Sequence, residues 1–192
     1  MHPTLLLHFN RIHPMSQEET AAIDETLTEK LFTKGSILLR EGDISSQVYF
    51  VVKGVVRQYS LIDGQEKTLN FFADGQWVLS NSGMDALQSS NHFLECSTDC
   101  LLVLGDSRKG EELYDRYPNL GLIARKLMTS IYLEQQSKHE SYLTDGPTER
   151  YRKLLENRPD LIQRLPQYQI ASYIGVTPES LSRIRKRIMD DL

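Results

Sequence analysis

The fold is decided by residues 34–75, KGSILLREGDISSQVYFVVKGVVRQYSLIDGQEKTLNFFADG. Gly35, Gly42, Gly54, Gly64 and Gly75 stand seven to twelve residues apart in it. Between them lie SILLR, QVYFVV, VVRQYSLI and KTLNFF, all rich in β-branched and aromatic residues. Short strands with a turn signal about every ten residues predict a β-sandwich or a barrel-like roll. Asp63-Gly64 reads as a hairpin turn inside it. HFLECST (92–98) and CLLVLG (100–105) carry the strands on to about Gly105.

On the N-terminal side, MSQEETAAIDETL (15–27) has Ser16 and Glu19 at capping-box spacing, which predicts a helix start. Beyond the roll, KGEELYDRY (109–117) predicts a short helix ended near Pro118. NLGLIARKLMTSIYLEQQSKHESYL (119–143) predicts a long helix with Leu120, Ile123, Leu127 and Ile131 on one stripe. Leu122, Met128, Tyr132 and Leu133 lie elsewhere around it, so its first turns are apolar over most of the circumference. A helix covering a single core needs only one apolar face. The expectation is that one face packs on the roll and another on a second copy of the chain. TDGPT (144–148), with Pro147 suited to a first helical position, marks a boundary.

The 192 residues carry a net charge of −4, with 40% hydrophobic and 25% charged residues, values ordinary for a globular protein. The charge is unevenly placed: residues 1–145 hold 13 Lys/Arg against 20 Asp/Glu, while 146–192 hold 9 against 6. That is the pattern of a small basic module on an acidic body. No apolar run approaches the ~20 residues of a membrane span, and MHPTLLLHF lacks the basic start of a signal peptide, so a cytoplasmic location is expected. Cys96 and Cys100, read as two positions of one strand, would lie ~13 Å apart, too far for a disulfide. The five histidines show no metal-ligand spacing. No cofactor is expected.

QYQIASYIGVTPESLSRIRKRI (167–188) fits a helix-turn-helix beginning at Gln167. Small Ala171 falls where two helices approach, and Gly175 falls in the turn. Ile170, Ile174, Val176, Leu181 and Ile184 take the inward positions. Thr177 is a natural N-cap, Pro178 suits the first helical position, and Glu179 adds favourable first-turn charge. Leu181, Ile184 and Ile188 form the buried stripe of the second helix. Glu179, Ser180, Ser182, Arg183, Arg185, Lys186 and Arg187 are left on the other faces. Lys and Arg there suit DNA phosphates.

With these residues in view the whole chain resembles the Crp/Fnr family of bacterial transcription regulators. KGSILLREGDISSQVYFVVKGVVRQY (34–59) resembles the opening of its cyclic-nucleotide-binding roll, and QIASYIGVTPESLSRIRKRI (169–188) its helix-turn-helix. The resemblance implies an α+β fold in three parts. These are a jelly-roll-like effector domain (1–118), a dimerisation helix (119–144) and a short helix-turn-helix domain (145–192). It implies a homodimer on an inverted-repeat operator in double-stranded DNA, with RNA polymerase as a further partner and a small-molecule effector of unknown identity. In the family a Glu and an Arg four apart read bases, and these match Glu179 and Arg183; their chemistry suits cytosine N4 and guanine O6/N7. Thr177, Ser180, Ser182, Lys186 and Arg187 complete the expected DNA contacts. An Arg that often precedes that Glu is here Pro178, so a different target site is expected.

Two departures from the family pattern bear on function. Members that bind cyclic nucleotides place a Gly-Glu pair on the ribose and an Arg-Ser/Thr pair on the phosphate. Here Gly75 is followed by Gln76, the later segment is QSSN (88–91), and residues 68–107 contain no Lys or Arg. Burying a phosphate without a cation is expensive. The pocket is therefore expected not to take cyclic nucleotide, with Gly75, Ser80, Asn81, Ser82, Ser90 and Asn91 as candidates to line a site for another ligand. The second departure is that the chain stops at Leu192, four residues after Ile188, where the family continues into a wing. Lower affinity per half-site is expected.

Two rival readings remain. One is a dimeric effector-sensing or interaction protein whose winged-helix remnant no longer binds DNA; the outward Arg183, Lys186 and Arg187 argue against it. The other is an enzyme on a cupin-like barrel. Its metal would need clustered His and Glu ligands in the roll, which offers only His92.

Overall fold

The computed structural model describes residues 2–79 and 88–190. Two helices, α1 (Pro3–Ile12) and α2 (Gln17–Thr26), precede eight strands. These are β1 (Thr28–Phe32), β2 (Ile37–Leu39), β3 (Gln47–Lys53), β4 (Val55–Ile62), β5 (Gln65–Ala73), β6 (Trp77–Val78), β7 (Phe93–Cys96) and β8 (Cys100–Asp106). Six helices follow: α3 (Ser107–Arg116), α4 (Pro118–Thr144), α5 (Pro147–Asn157), α6 (Pro159–Arg164), α7 (Gln167–Ile174) and α8 (Pro178–Asp190). The strands form two four-stranded sheets, ordered β1-β8-β3-β6 and β2-β7-β4-β5, and every pairing is antiparallel. The glycine-punctuated stretch is thus a roll, as its spacing predicts, with β1 and β6 added to the strands the sequence suggested.

Alternation along β4 and β5 explains how the roll meets the helices. Val56 and Phe72 face inward with Tyr49, Val51, Leu94 and Leu102. Val55, Phe71 and Ala73 face outward and share a core with Tyr151, Leu154, Ile174 and Leu181 of the C-terminal helices. Both faces of the hairpin are therefore buried at the end where Val55–Val56 pairs with Phe72–Ala73, while its turn end stays exposed. Gly54, just before β4, has φ +119, and a Cβ there would lie 2.5 Å from the Cys100 sulfur. Its N–H donates to Asp74 Oδ1 at 2.7 Å. Only glycine fits so close an approach with that backbone.

The capping box of α2 forms as predicted: Ser16 Oγ accepts from the Glu19 N–H, and Glu19 Oε2 accepts from the Ser16 N–H. Two expectations need correction. Cys96 ends β7 and Cys100 opens β8 in the other sheet, so the single-strand separation does not apply. Both thiols are buried in the same core cluster, and the hydrogen bond to Cys100, then burial, pushes Cys96 up. The second correction concerns α4. Leu120 and Ile123 are buried within their own chain, packed with Leu6 of α1 and Ile23 of α2. Farther along that side, Glu134 accepts from Gln76 at 3.4 Å and Lys138 reaches Asn70 at 3.5 Å. The stripe that includes Leu127 and Ile131, both half-buried, therefore faces the roll. Tyr132, Leu133, Tyr142 and Leu143 are the large hydrophobics of this helix left exposed, at 60%, 61%, 54% and 70%. Leu120 and Ile123, expected on the dimer helix, thus lie in the chain's own core.

Candidate DNA-binding interface

The basic module is four helices. Pro147 and Pro159 open α5 and α6 at first positions, where a missing N–H costs nothing. α7 ends at Gly175, whose φ of 78° is left-handed, and its N–H caps the helix by donating to Ala171 and Ser172 carbonyls. Ile170, Ala171 and Ile174 of α7 bury against Leu181, Ile184 and Ile188 of α8. Val176 packs at the edge of this core, half-buried. Tyr151, Leu154, Leu161 and Leu165 complete it from α5 and α6, a contribution the helix-turn-helix pattern alone did not reveal.

At the start of α8, Thr177 Oγ1 accepts from the Ser180 N–H at 3.3 Å and donates to Ser180 Oγ at the same distance. Both hydroxyls therefore serve the cap. Glu179, Ser182, Arg183 and Lys186 are exposed, spaced three or four apart along one side of the helix away from its buried stripe. The Glu179 carboxyl is held below its ordinary range, first by its own N–H, then by Thr177 and the nearby Arg183 charge. Among the described residues Arg183, Arg185 and Lys186 make no salt bridge. Arg187 differs: its Nη2 donates to Thr148 Oγ1, tying α8 to α5.

The module is seated on the roll. Ser172 Oγ accepts from the Thr68 N–H at 2.9 Å and donates to the Glu66 carbonyl at 3.1 Å. Tyr173 meets Phe71 with ring centroids 5.2 Å apart, and Arg164 pairs with Asp74 at 3.1 Å. An open cleft of about 1270 Å³ remains between the β4–β5 hairpin, the end of α4 and α7; Arg57, Lys67 and Tyr168 are among its lining residues.

On the effector side, Ser80, Asn81 and Ser82 lie outside the described residues. Gly75 serves a turn, with φ +82 and its N–H on the Val51 carbonyl at 2.8 Å. Ser90 is buried, and its hydroxyl donates to the His92 carbonyl at 2.7 Å. Its own carbonyl accepts from Gly42 at 2.8 Å. It is thus consumed by loop structure, not left to line a site. Asn91 accepts from Ser60 Oγ through its carbonyl at 3.1 Å, while its side-chain oxygen meets His92 Nδ1 at 3.0 Å.

The architecture is a two-sheet roll followed by a long helix and a helix-turn-helix. Residues 29–117 match the cyclic nucleotide-binding domain family. A curated relative, "Probable transcriptional regulator flp" of Lacticaseibacillus casei, is 24% identical over 187 residues, spanning 92% of this chain and 83% of that one. Among solved structures, FixK2 from Bradyrhizobium japonicum is similar with a TM-score of 0.70 at 24% identity, over 86% of this chain and 85% of that one. The c-di-GMP responsive regulator CLP of Xanthomonas campestris gives 0.69 at 18% identity, over 92% and 93%. Residues 29–117 thus carry a cyclic nucleotide-binding domain, and the chain as a whole shares its fold with these solved structures.

Proposed function

We propose that this chain is a sequence-specific DNA-binding regulator that acts as a homodimer on an inverted repeat and performs no catalysis. The observation that carries the reading is the exposed face of α8, where Arg183 and Lys186 stand without a salt bridge beside Glu179. Arg57, Lys153 and Arg164 are held by carboxylates of their own chain, whereas these cations are kept for an anionic partner. Glu179 and Arg183 read bases, Lys186 meets phosphates, and Thr177 and Ser180 hold the helix start. RNA polymerase is the further partner of such a regulator, and the cytoplasm its compartment. Replacing Arg183 with Ala should weaken a preferred site by ~1–3 kcal/mol and leave random duplex nearly unaffected, by fluorescence anisotropy. Equal losses on both would reduce Arg183 to a phosphate contact.

The dimer is read from α4, whose exposed Tyr132, Leu133 and Leu143 have no cover in their own chain. Leu133→Glu should give monomers in sedimentation, while a dimer that survives both Leu133→Glu and Tyr132→Glu places the contact elsewhere. The effector pocket is read as closed to cyclic nucleotides, because residues 68–107 bring no Lys or Arg to a phosphate. Calorimetry with cyclic AMP and cyclic GMP should show no binding at micromolar concentrations, with free and with DNA-bound protein. Micromolar affinity in either state overturns this.

A further inference from the structure

One guanidinium at the boundary of the two parts holds three chain segments together. Arg150, on the first turn of α5, donates from Nη1 to the Tyr142 carbonyl at 3.0 Å and to the Asp145 carbonyl at 2.9 Å. From Nε it donates to the Ile174 carbonyl at 3.0 Å. It also stacks over the Tyr142 ring at 4.7 Å. These carbonyls lie at the C-terminal ends of α4 and α7, where the last groups of a helix have no partner within it and its dipole favours a cation. A Cβ at Gly175, the turn of the helix-turn-helix, would sit 3.3 Å from Tyr142 Oη and 3.5 Å from Arg150 Nη2. Beside this group Asp145 pairs with Lys153 at 2.7 Å and accepts from Ser141 Oγ.

From this geometry we infer that Arg150 is a positioning residue: it fixes the angle between α4 and the recognition helix, and so the half-site spacing a dimer accepts. The inference rests on the DNA-reading proposal above. A planar fork with donors in fixed directions ties both helix ends at once, which a flexible ammonium does not. Two recognition helices engage one operator together only if their separation matches it, and avidity is lost when geometry forbids both contacts.

The test compares wild type, Arg150→Gln and Arg150→Lys on the preferred inverted repeat and on versions with one base pair added or removed at its centre. For wild type the altered spacings should cost more than roughly tenfold in affinity, and for both variants less than roughly threefold, with weaker binding to the best site. Equal spacing penalties in wild type and Arg150→Gln overturn the inference. So does a uniform loss on all DNA that Arg150→Lys restores, which would make Arg150 a phosphate contact. Should Arg150→Gln fail to fold, Tyr142→Ala, at an exposed residue, removes the stacked face and should relax the spacing preference in the same direction; an unchanged preference overturns the inference. Hydrogen exchange on the free protein separates this from the parent reading. Amides of residues 142–150 should lose protection in Arg150→Gln, and unchanged protection rejects the clamp. If wild type prefers no inverted repeat, the DNA reading falls and the exchange result alone decides the clamp.

Discussion

The outer face of β4 and the outer face of α8 both carry arginines, and they are treated in opposite ways. Arg57 is 1% exposed; its Nε donates to Thr68 at 2.9 Å and its Nη1 to Glu66 at 2.7 Å, with Glu95 at 3.8 Å. It stacks over Tyr59 at 4.5 Å. Burial raises the Glu95 carboxyl, and the Arg57 charge opposes that rise, so the pair depends on both members. Arg183 on α8 has none of this: it is exposed and, among the described residues, joined to no carboxylate by a salt bridge. A cation enclosed by carboxylates holds the fold, whereas one held out on a rigid helix without a salt bridge is available to a partner. The same residue type thus has two roles, and the surroundings assign them.

This contrast breaks first if Arg57 proves dispensable. Arg57→Ala leaves Glu66 and Glu95 facing each other without their cation and removes a packed stem, so it should cost about 3 kcal/mol in urea unfolding. A loss below ~1 kcal/mol would make Arg57 as peripheral to the fold as a surface arginine. Next in size is Gly54→Ala, which forces a Cβ against the Cys100 sulfur at a backbone angle alanine resists. It should cost about 2 kcal/mol, seen as a lower unfolding midpoint with DNA affinity altered only through stability. At the small end, Lys186→Ala should leave unfolding unchanged within ~0.5 kcal/mol. It should weaken specific and random duplexes alike and flatten the salt dependence of binding by about one unit of slope. A sequence-dependent loss at Lys186 would move base reading one turn farther along α8.

The roll and the helix-turn-helix were both legible because each depends on local chemistry. Gly35 to Gly75 mark turns at strand spacing, and Ala171, Gly175, Thr177 and Pro178 each meet a local backbone demand. What escaped reading depends on contacts distant in sequence. α1 was not anticipated, since MHPTLLLHF shows an apolar run without saying that Leu5 and Leu6 bury in the core. The seat of Ser172 and Tyr173 on β5 joins residues about a hundred positions apart, and no spacing rule connects them. On α4 the periodicity was real, but an apolar stripe does not say what covers it; the stripe of Leu120 and Ile123 belongs to the chain's own core. Within α8, spacing alone does not distinguish Arg187 from Lys186; the bond of Arg187 to Thr148 does. Ser90 likewise looked like a free polar residue until its bonds to the loop were located.

The central claim is that the unpaired face of α8 reads DNA through a two-fold dimer, and selection from a random duplex library tests it most directly. The protein should enrich an inverted repeat whose half-sites lie about one helical turn apart. Arg183→Ala, carried through the same selection, should lose preference at one base pair of each half-site while keeping the spacing. No enriched sequence, or one without two-fold symmetry, would contradict the account.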